Sequence, residues 1–146
     1  MRLIVSVVLL VASMTTAFAG PKEDALQVVD KWAKAFAASD LDAITKLYAP
    51  DALFMGTGSK TVVTKPEGIR TYFEPGLSTN KPRGASLNSY EAMALSDNTV
   101  VVVGLDSLTG VKDGNPTLSS GRVTFVVAKR GADWQIVHFH RSAMPQ

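Results

Sequence analysis

The stretch that decides the fold is Trp134-Gln135-Ile136-Val137-His138-Phe139-His140-Arg141-Ser142-Ala143-Met144-Pro145. It follows Gly121-Arg122-Val123-Thr124-Phe125-Val126-Val127-Ala128-Lys129-Arg130 across the turn Gly131-Ala132-Asp133. Both arms are rich in β-branched and aromatic residues, and the Gly-containing turn between them makes the pair a closing β-hairpin. Strict alternation puts Gln135, Val137, Phe139 and Arg141 on one face of the last strand. Trp134, Ile136, His138 and His140 then share the other face, and Arg122, Thr124, Val126 and Ala128 share one face of the strand before.

Upstream of the hairpin, Ala85 to Leu95 reads as a long strand, turned at Ser96-Asp97-Asn98 into Thr99 to Leu108. The four consecutive valines Val100 to Val103 predict burial on both faces. A loop around Lys112-Asp113-Gly114-Asn115-Pro116 leads on to the hairpin. The first half of the chain has a different period. Ala25, Val28, Val29, Trp32, Ala33 and Phe36 recur at helical spacing between Pro21 and Ala38. Ser39 with Asp42 forms a capping-box pattern, opening a short second helix with Leu41, Ile44, Leu47 and Tyr48 on its apolar side. Ala52 to Met55 predicts a short strand, paired with Thr61 to Val63 across Gly56-Thr57-Gly58-Ser59. That glycine turn lacks the lysine and following helix of a phosphate-binding loop. Thr64 and Glu67 form a second capping box, starting a third helix with Pro66 in its first turn. This helix carries Ile69, Tyr72 and Phe73 and is expected to stop at Pro75-Gly76. Helices first and a long antiparallel meander last define an α+β fold, with three helices packed on one face of a bent sheet.

Composition narrows the function classes. Met1-Arg2, the apolar run Leu3 to Ala12 and the Ala17-Phe18-Ala19 site before Gly20 form a secretory signal pattern. The run falls short of the roughly 20 residues that span a bilayer, so no membrane attachment is expected after cleavage. Residues 20–146 then form one domain, large enough to bury a single core, in a secreted or periplasmic setting. The chain has no cysteine, which removes disulfides, thiolate nucleophiles and thiolate metal sites together. With 15 basic and 13 acidic residues the net charge is +2, and losing Arg2 leaves 14 against 13, or +1. No basic run or stripe is present, which argues against nucleic acid as a partner despite a pI of about 9.0.

The closing hairpin, in which two histidines flank an aromatic and are followed by Arg141-Ser142, resembles the end of the association (hub) domain of calcium/calmodulin-dependent protein kinase. That domain belongs to the SnoaL-like, or nuclear transport factor two-like, superfamily. Two further segments carry the resemblance, Ser39 to Tyr48 and Ile69 to Glu74, and the order of elements follows it over the whole of residues 20–146. It implies a cone-shaped, cystatin-like sheet enclosing a pocket, used across the superfamily for binding, catalysis or assembly. No kinase catalytic motif or calmodulin-binding helix accompanies it.

The resemblance turns Arg122 and Arg141 into the cone as paired pocket arginines, with Phe139 and Trp32 as apolar walls. Two guanidiniums in an apolar cavity need an anion between them, a role a carboxylate ligand would fill; alternatively each pairs with an internal acid such as Glu74, Glu91 or Asp106. A third arginine is expected near Leu105-Asp106 and a histidine where Ile69 stands, and the chain has neither. Ketosteroid isomerases and polyketide cyclases share the superfamily, and by analogy Asp51 or Asp106 would be the base and Tyr48 or Tyr72 the donor. Trp32 and Phe36 fit the core stripe of the first helix, Asp51 after Pro50 a turn, and Tyr48 a core aromatic. His138 and His140 lie two apart, but two ligands do not make a metal site, and the pattern implies no metal and no cofactor. The favoured reading is a small-molecule-binding protein with a carboxylate as candidate ligand, assembling with itself through the face of Trp134, Ile136, His138 and His140; an isomerase or cyclase and a non-catalytic assembly hub are the alternatives. The signal pattern makes the first testable expectation: intact-mass measurement on protein from the native envelope or medium should place the mature N-terminus at Gly20, and retention of the first nineteen residues would refute cleavage there.

Overall fold

The computed structural model describes residues 20–146; the expected signal peptide, residues 1–19, lies outside the described residues. The elements are α1 Pro21–Ala38, α2 Leu41–Lys46, β1 Tyr48–Met55, α3 Pro66–Ser78, β2 Gly84–Ser96, β3 Thr99–Lys112, β4 Asn115–Arg130 and β5 Asp133–Ala143. The strands form one curved, unclosed sheet in the order β1-β5-β4-β3-β2. Neighbours among β2 to β5 run antiparallel, while β1 adds to the edge of β5 in parallel. The sheet is therefore mixed rather than wholly antiparallel, with the three helices as expected on one face. No helix among the described residues is long and apolar enough to cross a membrane.

Local chemistry sets the helix limits, and four of them differ from the sequence expectation. Ser39 takes a left-handed backbone, φ 56, and its N–H closes α1 on the carbonyl of Phe36. Being used as a C-cap, it is not the N-cap of α2. That role passes to Asp40, whose carboxylate accepts from the Ala43 N–H at 2.9 Å. Tyr48 leaves the second helix to pair with Ile136 as the first residue of β1. Thr64 caps nothing, since α3 starts after Lys65 without a side-chain cap. This helix continues through Pro75 instead of ending there. Its apolar row Ile69, Phe73 and Leu77 repeats every four residues, all three are buried, and that packing carries the helix past the missing N–H. Arg70 binds Asp42 and so ties α3 to α2. The hydrogen bond and charge of Arg70 hold Asp42 below its usual carboxylate range. What this exposed pair adds to stability is present at neutral pH and lost as the pH falls through that lowered value.

One irregularity phases the sheet. In the β4–β5 ladder Val127 pairs with Ile136 but Val126 with His138, leaving Val137 as the extra residue of a bulge. Side chains on either side of it no longer alternate strictly. Ile136, Phe139 and Arg141 all turn inward, at 0%, 2% and 5% exposure. Ile136 therefore does not share the outer face with His138 and His140, as simple alternation predicts. On β4 the inward residues are Val123, Phe125 and Val127. Arg122 alternates outward, so the expected pairing of Arg122 with Arg141 inside the cone does not occur. Val100 and Val102 are buried, whereas Val103 is half exposed, because helices cover one face of this chain's sheet.

The enclosed core is aromatic. Phe139 stacks on Phe54 at 5.1 Å and on Trp32 at 5.6 Å, and meets Phe125 edge-on at 5.0 Å. Trp32 also stacks on Phe36 at 5.5 Å. Its indole N–H donates to the buried Tyr48 hydroxyl at 2.9 Å, satisfying the one polar atom that this ring carries into the core.

Candidate functional site

Three adjacent strands bring Asp106 of β3, Gly121 of β4 and Arg141 of β5 together, since Asp106 pairs with Gly121 and Arg141 lies beside it opposite Val123. Arg141 Nε donates to both Asp106 oxygens, at 3.0 and 2.7 Å. Nη1 reaches the Thr57 hydroxyl at 2.9 Å and Ser119 Oγ at 3.4 Å, and Nη2 donates to the Ser119 carbonyl at 2.8 Å. Both side chains of the pair are about 95% enclosed, with relative exposures of 5% and 6%. Gly121 makes this approach possible: a Cβ there would lie 2.7 Å from Arg141 Cζ and 2.9 Å from Asp106 Oδ1. Any side chain at position 121 would push the guanidinium off its carboxylate.

Arg141 forms part of the wall of a cavity of about 230 Å³ between α1, α3 and the sheet. Trp32, Phe36, Tyr72, Phe73, Leu77 and Leu108 give it an apolar lining, Thr57 and Gly76 complete the wall, and Arg83 supplies a second guanidinium. The loop after β1 is fitted tightly here. The Tyr72 hydroxyl lies against Gly56, where a Cβ would overlap it, and is 3.5 Å from the Gly58 N–H. Arg83 reaches over from the segment before β2. Its Nη2 donates to the carbonyls of Gly76 and Thr79 at the end of α3, and its Cζ stands 5.1 Å from the Phe36 ring centre. Desolvation lowers its pKa, as expected for a cation withdrawn from water. A wider groove of about 610 Å³ runs between α1 and β2. Its acids Glu23 and Asp30 are exposed, and Asp30 is already paired with Lys34 at 2.6 Å. Of these two, buried charge and aromatic walls coincide at the smaller one, while Asp106 with Trp32 and Phe125 lines a further void of only about 20 Å³ between α1 and the sheet.

The other candidates are scattered. Arg122 is on the outer face, its Nε 3.3 Å from Ser142 Oγ, and so is not a wall of this cavity. Phe139 is core, behind Trp32 rather than lining the space, while Trp32 serves both. Asp51 is exposed and paired with Arg130 at 3.2 Å, far in role from a buried base. Tyr48 is enclosed, its hydroxyl held by Trp32, and burial raises its pKa well above the ordinary tyrosine value. Tyr72 does reach the cavity. Asp106 does not line it, lying on the far side of Arg141 with both oxygens occupied. His138 places Nδ1 3.1 Å from the Leu53 carbonyl on the outer face. No cluster of three metal-ligating side chains occurs among the described residues. Arg83, Phe36 and Phe73 are wall residues that sequence reasoning did not assign to a site. Arg83 sits in a polar loop without periodicity, so no local signal marks it.

Comparison with known proteins agrees with this architecture. The SnoaL-like domain family matches residues 25–146, and the chain belongs to that family. Calcium/calmodulin-dependent protein kinase type II subunit delta of Oryctolagus cuniculus is 28% identical over 128 residues, which is 85% of this chain. The chain spans only 24% of that kinase's length. A solved structure from Xanthomonas campestris, provisionally described as a calcium/calmodulin-dependent protein kinase II association domain, is 32% identical with a TM-score of 0.77. The match covers 83% of this chain and 86% of that one. A nuclear transport factor 2-like superfamily protein from Salmonella enterica serovar Typhimurium has a TM-score of 0.76 at 19% identity, covering 86% and 92% of the two chains, and so shares the fold.

The buried pair yields a stability prediction. Asp106→Ala leaves Arg141 enclosed without its counter-charge and should cost about 3–5 kcal/mol, a large part of a typical domain's stability. Replacing both partners together, Asp106→Leu with Arg141→Met, should recover most of that loss. Urea unfolding of the three proteins measures this, and an Asp106→Ala variant as stable as wild type would show that the pair is solvated.

Proposed function

We propose that this protein is an exported, non-catalytic small-molecule-binding member of the SnoaL-like family that acts as a homo-oligomer. The observation that carries the binding assignment is the 230 Å³ cavity, with its aromatic walls and two guanidiniums. Concave, mostly apolar spaces with a few convergent polar groups are where small molecules bind. The volume suits a compact ligand rather than a drug-sized one. Binding is favoured over isomerase or cyclase chemistry by the carboxylates. Among the described residues Asp51 faces solvent and Asp106 is fully engaged by Arg141, so neither is free to take a proton in the cavity.

Self-association is supported by the uncovered sheet face. Met93, Val103 and Leu105 are 59%, 50% and 41% exposed there, and Leu53 joins them beside His138 at the β1 edge. Glu91 beside Val103 and Arg122 beside Leu105 set opposite charges into the same apolar field. A second copy related by a two-fold axis can cover the apolar residues while placing Glu91 against Arg122. Export rests on the leader pattern alone.

Two measurements check this reading. A thermal-shift screen of small aromatic and aliphatic compounds should find ligands that raise the melting temperature, an effect worth about 2.7 kcal/mol at a hundredfold excess over Kd. Leu108→Trp, which fills the cavity from β3, should keep the fold and abolish the shift; a ligand that binds the variant equally well lies elsewhere. For assembly, light scattering at micromolar concentration should give at least a dimer, and Val103→Asp should move the mass to that of the monomer. A wild-type monomer would remove the assembly reading.

A further inference from the structure

We propose that Arg83, rather than either arginine of the closing hairpin, reads the ligand, and that the ligand is a single-ring aromatic monocarboxylate. This deepens the assignment of the 230 Å³ cavity as a binding pocket and rests on it.

Charge comes first. Arg141 lines the cavity, but Asp106 at 2.7 Å cancels its charge. Its three nitrogens are already engaged by Asp106, Thr57 and Ser119. A guanidinium so saturated holds strands β3, β4 and β5 and the β1 loop in place; it has little left to offer an incoming anion. Arg83 differs in every respect. It has no carboxylate partner among the described residues, leaving one uncompensated positive charge at the cavity. Its Nε is the one enclosed side-chain polar atom among the described residues without a hydrogen-bond partner. Closed to water, Nε is equally closed to a ligand oxygen; the donor left for an anion is Nη1, which has no hydrogen-bond partner among the described residues.

Orientation comes second. The Gly76 and Thr79 carbonyls, which end α3 and carry the negative pole of its dipole, hold Nη2, while the Phe36 face supports the guanidinium plane. The fork is thus fixed before any ligand arrives, which limits the entropy lost on binding. With Nη2 held by carbonyls, Nη1 offers its N–H donors to a carboxylate, and one net positive charge matches a monoanion. The body of the ligand is set by the remaining walls. Trp32, Phe36, Tyr72 and Phe73 offer ring faces and edges to a flat apolar group, and 230 Å³ admits about one ring with a short tail.

The test is calorimetric titration of the whole protein with benzoate and phenylacetate. Their uncharged amides and phenyl phosphate are titrated in parallel. The expected result is that a carboxylate binds at least tenfold more tightly than its amide and than the phosphate. Arg83→Gln should remove that preference, Arg83→Lys should restore it only in part, and Arg122→Gln should leave it unchanged. Equal binding of acid and amide would overturn the role of Arg83 while leaving the cavity a binding pocket. Preference for the phosphate would overturn the carboxylate assignment. No binding of any of these compounds, or of any in the wider screen, would take the pocket reading down with it. Should Arg83→Gln unfold, shown by loss of its circular-dichroism melt, the acid-to-amide ratio and its weakening by salt in wild type decide the matter, since neither needs the variant.

Discussion

Between Ile136 and His138 the last strand carries one residue more than the strand it pairs with, and the interior is phased from that point. Without the bulge at Val137, a strand that buries Ile136 would turn Phe139 and Arg141 to solvent. With it, Ile136 packs in the core on one side of the irregularity while Phe139 and Arg141 enter on the other. Phe139 is then the ring on which Trp32, Phe54 and Phe125 converge. A one-residue change in register moves a strand's whole side-chain set to the opposite face, which is why an inserted residue here has consequences so far from itself.

Arg141 shows what that phasing costs and what it permits. A guanidinium delivered into an aromatic interior must be matched there, and the match comes from across the sheet, on β3, through the gap that Gly121 leaves. The donors that Asp106 does not use reach Thr57 and Ser119, so one side chain ties three strands to the loop behind β1. Such a pair adds less to net stability than its geometry suggests, because both charges were better hydrated outside. Its value lies in specifying one arrangement of the cavity wall. A neutralised Arg141 also leaves the cavity's electrostatic character to Arg83, a residue outside the hairpin.

Membership of the SnoaL-like family fixes a scaffold and leaves chemistry to the side chains lining it. The kinase association domain and a nuclear transport factor 2-like protein share this frame with the present chain. Here Asp51 is outside the cavity and Asp106 engaged, Tyr48 is bonded to Trp32, and what faces the cavity is a cation among rings with the Tyr72 hydroxyl at its edge. On that combination rests our proposal that the cavity holds a molecule rather than transforms it.

The sequence by itself determined the α+β order, the amphipathic first helix, the closing hairpin and the aromatic nature of the core, because these follow from periodicity and turn chemistry within short windows. Its resemblance to the association domain, carried by the run from His138 to Ser142, pointed to the right family. Arg141 and Trp32 were legible as cavity residues for the same reason. What lay beyond was anything decided by contacts between distant segments. Helix α3 outruns Pro75 because Leu77 finds a buried place, and Ser39 caps the helix before it instead of the one after. Arg122 and Arg141, read as a pair from alternation and resemblance, are divided between the two faces because the apolar residues Val123, Phe125 and Val127 choose the inward side of β4. Arg83 is brought to the cavity by carbonyls at the end of a helix and by the face of Phe36. No pattern within its own loop encodes that placement, so only the tertiary structure could reveal it.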